Sequence, residues 1–191
     1  MIFLYLLLAH LLADFVLQPE KLVRWKQRKW SGIAVHGSVH LVISFIVLAV
    51  YMPNMSVLAA ILLIAAAHFL IDWLKIIYER GAKKYIGPFL VDQAAHISVL
   101  ALASYALGNV PLGVQWGPIV WLYTNFSVVL GLCLLLGVTY VYELTLFQLN
   151  RTKTSKYTPN FKAMARRTVI AAVFYGIFLL FGAYEIVAFG V

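Results

Sequence analysis

Every histidine in this chain has a histidine or an aspartate four residues away. The pairs are His10 with Asp14, His36 with His40, His68 with Asp72, and Asp92 with His96. Four residues of α-helix are about 400° of rotation and about 6 Å of rise, so both members of a pair point to nearly the same side. Two donors at that spacing can grip one metal ion, and carboxylate bundles assemble metal centres from facing helices. All eight residues are therefore candidate ligands, with Asp14, Asp72 and Asp92 as candidate general bases where they are not fully engaged as ligands. At about four to six ligands per ion, either two metals bind or some of the eight orient the others. The mixed His and Asp set suits a divalent ion, Zn²⁺ first, with Fe²⁺ and Mn²⁺ as alternatives. The single cysteine, Cys133, excludes a multi-thiolate centre and an intramolecular disulfide framework.

The elements that must position these pairs are membrane helices. The chain has 191 residues, of which 63% are hydrophobic and 12% charged, with a mean hydropathy of +0.91. Apolar runs of about 20 residues give an all-α polytopic protein of six transmembrane helices, at roughly 2–18, 33–51, 57–77, 89–107, 119–142 and 168–188. The opening run lacks a basic leader and a small-residue cleavage site, and is read as a retained span. The net charge of +8 comes from 15 Lys and Arg residues gathered in three clusters: 21–29, 75–84 and 151–167. These clusters alternate with connections that carry no Lys or Arg. By the positive-inside rule the basic loops face the cytoplasm and both termini lie outside. The charge thus reads as topology, with no nucleic-acid partner. Residues 1–107 form a four-helix membrane core carrying the site, and 108–191 add two helices and a basic cytoplasmic loop, within one membrane domain.

Depth supplies an independent check. Odd and even spans run in opposite directions, and Asp follows His in the first and third but precedes it in the fourth. The inversion aligns Asp14, His36, Asp72 and Asp92 in an outer tier about one turn below the cytoplasmic interface, with His10, His40, His68 and His96 one turn deeper. Four pairs sharing one spacing and one level point to a site rather than to polar glue between helices.

Other polar residues read more plainly. Gln18 and Gln93 are expected first as interfacial glutamines, and second as polar partners of the ligands. Glu143 is expected as a solvated helix-end residue and Glu185 as interfacial. Trp25, Trp30, Trp116 and Trp121 sit near span ends, where an amphipathic ring is favoured. The stretch "EKLVRWKQRKW" (20–30) mixes cations with Trp and Leu as an interfacial helix does, and with the other basic loops it can attract an anionic lipid headgroup. Gly131 and Gly137 permit close helix approach without the GxxxG spacing, so no oligomeric state follows.

The motifs "HLLADFVLQ" (10–18), "HGSVH" (36–40), "HFLID" (68–72) and "DQAAH" (92–96) resemble those of the bacterial membrane family catalogued as a domain of unknown function, DUF3307. The resemblance spans roughly residues 1–105 and carries no established chemistry. A looser similarity links the chain to membrane-bound metal-dependent hydrolases with His and Asp on short spans, an analogy of pattern only. The function expected is a metalloprotein with one or two divalent ions near the cytoplasmic face, hydrolysing an amphipathic lipid or prenyl phosphate among the membrane lipids. The alternatives are a metal-ion or proton transporter, and a haem or di-iron redox protein.

Overall fold

A computed structural model describes residues 1–79, 81, 84–113, 117–152 and 155–189, without the side chains of 118, 119, 122, 123 and 182–189. Arg80, Lys83, Lys153, Trp116 and the side chain of Glu185, all placed above from sequence, lie outside the described residues. The described residues are helical, with no strand among them. Five helices are long and apolar enough to cross a membrane, the architecture of a multi-pass membrane protein. A bent sixth segment opens the chain.

That segment is α1 (Ile2–Leu11), continued by a π-helical turn over Leu12–Val16. Pro19, in extended conformation, ends it and starts α2 (Glu20–Arg28), which turns away by 90°. In α2, Leu22 and Lys26 are buried one turn apart, while Lys21, Arg24, Trp25 and Arg28 are exposed. The basic stretch read as an interfacial helix is thus a helix, but one with a lysine on its buried face. α2 packs on the start of α3 (Trp30–Val47). Gly32 allows this approach, since a Cβ there would fall 2.7 Å from Lys26 Cα.

α4 (Met55–Glu79) and α5 (Ile86–Leu107) complete a bundle with α1 and α3. The bundle is divided along its axis. Ile2, Tyr5, Leu6, Ala9, Val47, Leu48, Val57, Ile61, Ile64 and Leu100 pack one end as an apolar core, and the His and Asp pairs fill the other.

The second half departs from the expected span boundaries. A short helix α6 (Gly117–Thr124) stops at Asn125, whose side chain accepts the Val128 N–H at 3.2 Å and caps α7 (Phe126–Leu136). A second π turn, Gly137–Val141, leads into α8 (Tyr142–Asn150). The fifth membrane helix therefore covers Phe126–Asn150 rather than 119–142. Asn160 caps α9 (Phe161–Phe189) by accepting the Ala163 N–H at 3.1 Å. Lys162, Arg166 and Arg167, expected in a loop, belong to its first turns. The helices extend into the charged stretch because Glu143 and Arg167 pair at 2.5 Å and neutralise each other.

Candidate metal centre

α1 and its π turn bring His10 and Asp14, α3 brings His36 and His40, α4 brings His68 and Asp72, and α5 brings Asp92 and His96 to one buried region. Asp14 is its hub. It sits mid-way through the first π turn, a register shift that re-aims side chains and recurs at functional sites. Its Oδ1 lies 2.8 Å from His40 Nε2, 2.9 Å from His36 Nε2 and 3.6 Å from His68 Nε2. Its Oδ2 lies 3.6 Å from His10 Nε2.

The deeper tier forms a closed ring of imidazoles. Ring centroids are 3.5 Å apart for His40 and His68, 4.2 Å for His68 and His96, 5.1 Å for His96 and His10, and 5.6 Å for His10 and His40. A void of about 10 Å³ adjoins all four, roofed by Leu6, Ser44, Ile64, Val99 and Leu100. It is about the size of one water or ion.

Two lysines enter the cluster. Lys26 Nζ donates to Asp72 Oδ2 at 2.8 Å, and Lys75 Nζ donates to Asp92 Oδ2 at 2.7 Å. Both glutamines belong to it as well. The Gln18 amide lies 2.8 Å from His36 Nε2. Gln93 donates to Asp92 Oδ2 at 3.0 Å, and its Oε1 lies 3.3 Å from His10 Nε2. The first expectation for these glutamines, an interfacial position, gives way to the second.

Lys26 and Lys75 were missed because the positive-inside rule accounts for cations next to loops. Each left a signal. Lys75 falls inside the apolar run 57–77, where a charge is costly. Lys26 shares a helical face with Leu22.

The donors fit a divalent ion. One ligand atom each from His10, Asp14, His40 and His68 lies within 4.8 Å of the others, and the same holds for His36, His68 and Asp72. Tetrahedral coordination at about 2.0–2.2 Å separates ligand atoms by about 3.3–3.6 Å, close to the spacings around Asp14. Among the described residues His68 Nε2, His96 Nε2 and Asp92 Oδ1 are buried with no hydrogen-bond partner, a state that native interiors avoid unless the group serves something else. For His96 the tautomer follows from its neighbours. Nδ1 faces the Asp92 carbonyl at 2.9 Å and must donate to it, which leaves a lone pair on Nε2.

Residues 2–116 match the family described as "Protein of unknown function (DUF3307)". The chain belongs to this family. No curated protein and no solved structure matches it. The DUF3307 segment takes in α1 to α5, and so contains all eight predicted residues together with Gln18, Lys26, Lys75 and Gln93.

Above Asp14 opens a cavity of about 380 Å³. Gln18, Lys26, Lys75 and Gln93 line it beside Asp14, whereas Asp72 and Asp92 do not reach it. Its walls combine Arg24, Arg28, Arg151 and Lys156 with Phe15, Phe89, Phe147 and Tyr157, and with Glu20 and Glu79, which pair with Arg24 and Arg151. Glu143 is not among them and pairs instead with Arg167.

Proposed function

We propose that this membrane protein holds a divalent ion, Zn²⁺ first, among its His and Asp residues and hydrolyses an amphipathic lipid or prenyl phosphate. One observation carries the proposal: His10, His40 and His68 converge on Asp14, and Asp14 borders a cavity lined by basic and aromatic residues. A divalent ion at such a point lowers the pKa of bound water and polarises a phosphoryl group. Asp14 is the one candidate base that borders the cavity, and so the one placed to orient an attacking water. Asp72 and Asp92, tied to lysines, set the charge beneath it. Arg28 and Lys156 attract the anionic head, and Phe15, Phe89 and Phe147 pack the first segment of the tail. By the positive-inside rule the cavity opens to the cytoplasm of a bacterial cell, with both termini outside.

Transport is less well supported, because the apolar core of Tyr5, Leu6, Val57 and Ile61 lies across the path through the bundle. Haem fits poorly between imidazoles stacked at 3.5 Å. The test is elemental analysis of purified protein together with release of phosphate or headgroup from bilayer substrates. Wild type is expected to carry metal and turn over, and His40→Ala and Asp14→Ala to lose both. Activity in metal-free protein would overturn the proposal.

A further inference from the structure

The two ligand groups invite a two-ion centre, but the geometry points to one ion. Resting on the metal reading above, we infer that the centre is mononuclear and that the ammonium of Lys26 stands where a second cation would sit, beside His36, His68 and Asp72.

Three observations support this. The groups are not independent, since both need His68, whose Nε2 lies 3.6 Å from Asp14 Oδ1 and 3.6 Å from Asp72 Oδ2. One imidazole lone pair serves one ion, so a second ion would be left with His36, Asp72 and water, and Lys26 already holds Asp72. The carboxylate of the second group is also occupied: Asp72 Oδ2 accepts from Lys26 at 2.8 Å. Among the described residues no lysine or arginine pairs with Asp14.

Charge gives the same count. Three carboxylates face two ammonium groups, Lys26 and Lys75, so with neutral imidazoles the cluster has one net negative charge. A single divalent ion brings it to one positive charge, which an anionic substrate neutralises. A second ion would leave three positive charges in a site largely closed to water, where uncompensated charge is strongly disfavoured.

The placement of Lys26 is built into the fold. Burial of Leu22 one turn earlier and the absence of a side chain at Gly32 bring α2 close enough to α3 for Lys26, 7% exposed, to reach Asp72. Lys26 is a positioning residue: it fixes Asp72 and sets the number of ions.

The test is metal stoichiometry, which does not depend on turnover. Detergent-purified full-length protein is stripped, retitrated with Zn²⁺ against a chromophoric chelator, and analysed for bound metal. Wild type and Lys21→Met, on the outward face of the same helix, are expected to bind one equivalent. Lys26→Met, which keeps the buried stem and removes the charge, is expected to bind two, falling back to one in Lys26→Met/Asp72→Asn. X-ray absorption of zinc-loaded wild type should lack a metal–metal vector at about 3.5–4 Å, a readout that needs no variant to fold. Two equivalents in wild type, or one in folded Lys26→Met, would overturn the inference and leave the metalloprotein reading standing. No zinc in wild type would overturn both.

Discussion

The two halves of the molecule are equally greasy and differently packed. In α3, α4 and α5 the membrane-spanning windows are 39%, 28% and 28% buried within the protein, against 22% for the Phe126–Asn150 helix and 6% for α9. Every histidine, and every buried aspartate, precedes residue 97. In a bilayer, apolar surface gains little by leaving lipid for protein, so helices pack closely where polar groups must be satisfied or small residues allow contact. The first half hides charge and is drawn inward around it. The second half encloses. It stays tied to the first through the packing of the two π turns and of α1 on α7, where Cys133 Sγ reaches the Leu4 carbonyl at 3.7 Å, and Phe147, Arg151 and Tyr157 close one wall of the cavity.

The largest test of this division is Asp14→Asn. It removes the charge shared by His36 and His40 together with one ligand, so metal is expected to be lost in elemental analysis, with affinity falling by more than the roughly 10–100-fold typical of an outer partner. Glu143→Gln, the matching change in the second half, is expected to leave metal content untouched in the same elemental analysis. Equal losses would erase the distinction.

Next comes the buried pair Lys75 and Asp92, with Asp92 1% exposed. Lys75→Met strands that carboxylate and is expected to cost about 3 kcal/mol of stability, measured by unfolding in mixed detergent micelles. Adding Asp92→Asn should recover most of the loss, because it is the unpaired charge, not the missing attraction, that destabilises.

How much was legible follows the same division. The His and Asp pairs could be read because helical period and span direction fix both face and depth, and the structure brings all four pairs together. The π turn at Leu12–Val16 could not be, since nothing in LADFV breaks an α-helix. Nor could the inward face of α2, which depends on the 90° bend after Pro19 and on contact with Gly32. The span boundaries of the second half were misplaced for another reason. Charges were taken as helix ends, whereas Glu143 and Arg167 cancel across two helices. The Asn125 and Asn160 caps that do mark the starts are local signals, available in the sequence and outweighed by hydropathy.

A smaller effect is expected where α7 meets α9. A methyl at Gly131 would fall 2.6 Å from Tyr175 Cε1, and that ring is held by its hydroxyl, which donates to the Ser127 carbonyl at 2.5 Å. Gly131→Ala is expected to cost about 1–3 kcal/mol through overpacking with full metal content. Lost metal there would mean that the second half supports the site and does not merely wall it.

The smallest effect belongs to Arg167. Its ion pair with Glu143 is partly exposed, with the arginine 22% and the glutamate 14% accessible, so the pair alone contributes on the order of 1 kcal/mol or less. Arg167 also donates through Nε to the Val138 carbonyl at 3.1 Å, within the second π turn, a contact that the compact ammonium of lysine cannot make at the same time as the carboxylate pair. Arg167→Lys is therefore expected to lose part of what Arg167→Ala loses, and a double-mutant cycle with Glu143→Gln separates the ion pair from the π-turn contact. If Arg167→Ala proved costlier than Lys75→Met, charge would matter more in the enclosing half than in the site, and the contrast between the halves would be reversed.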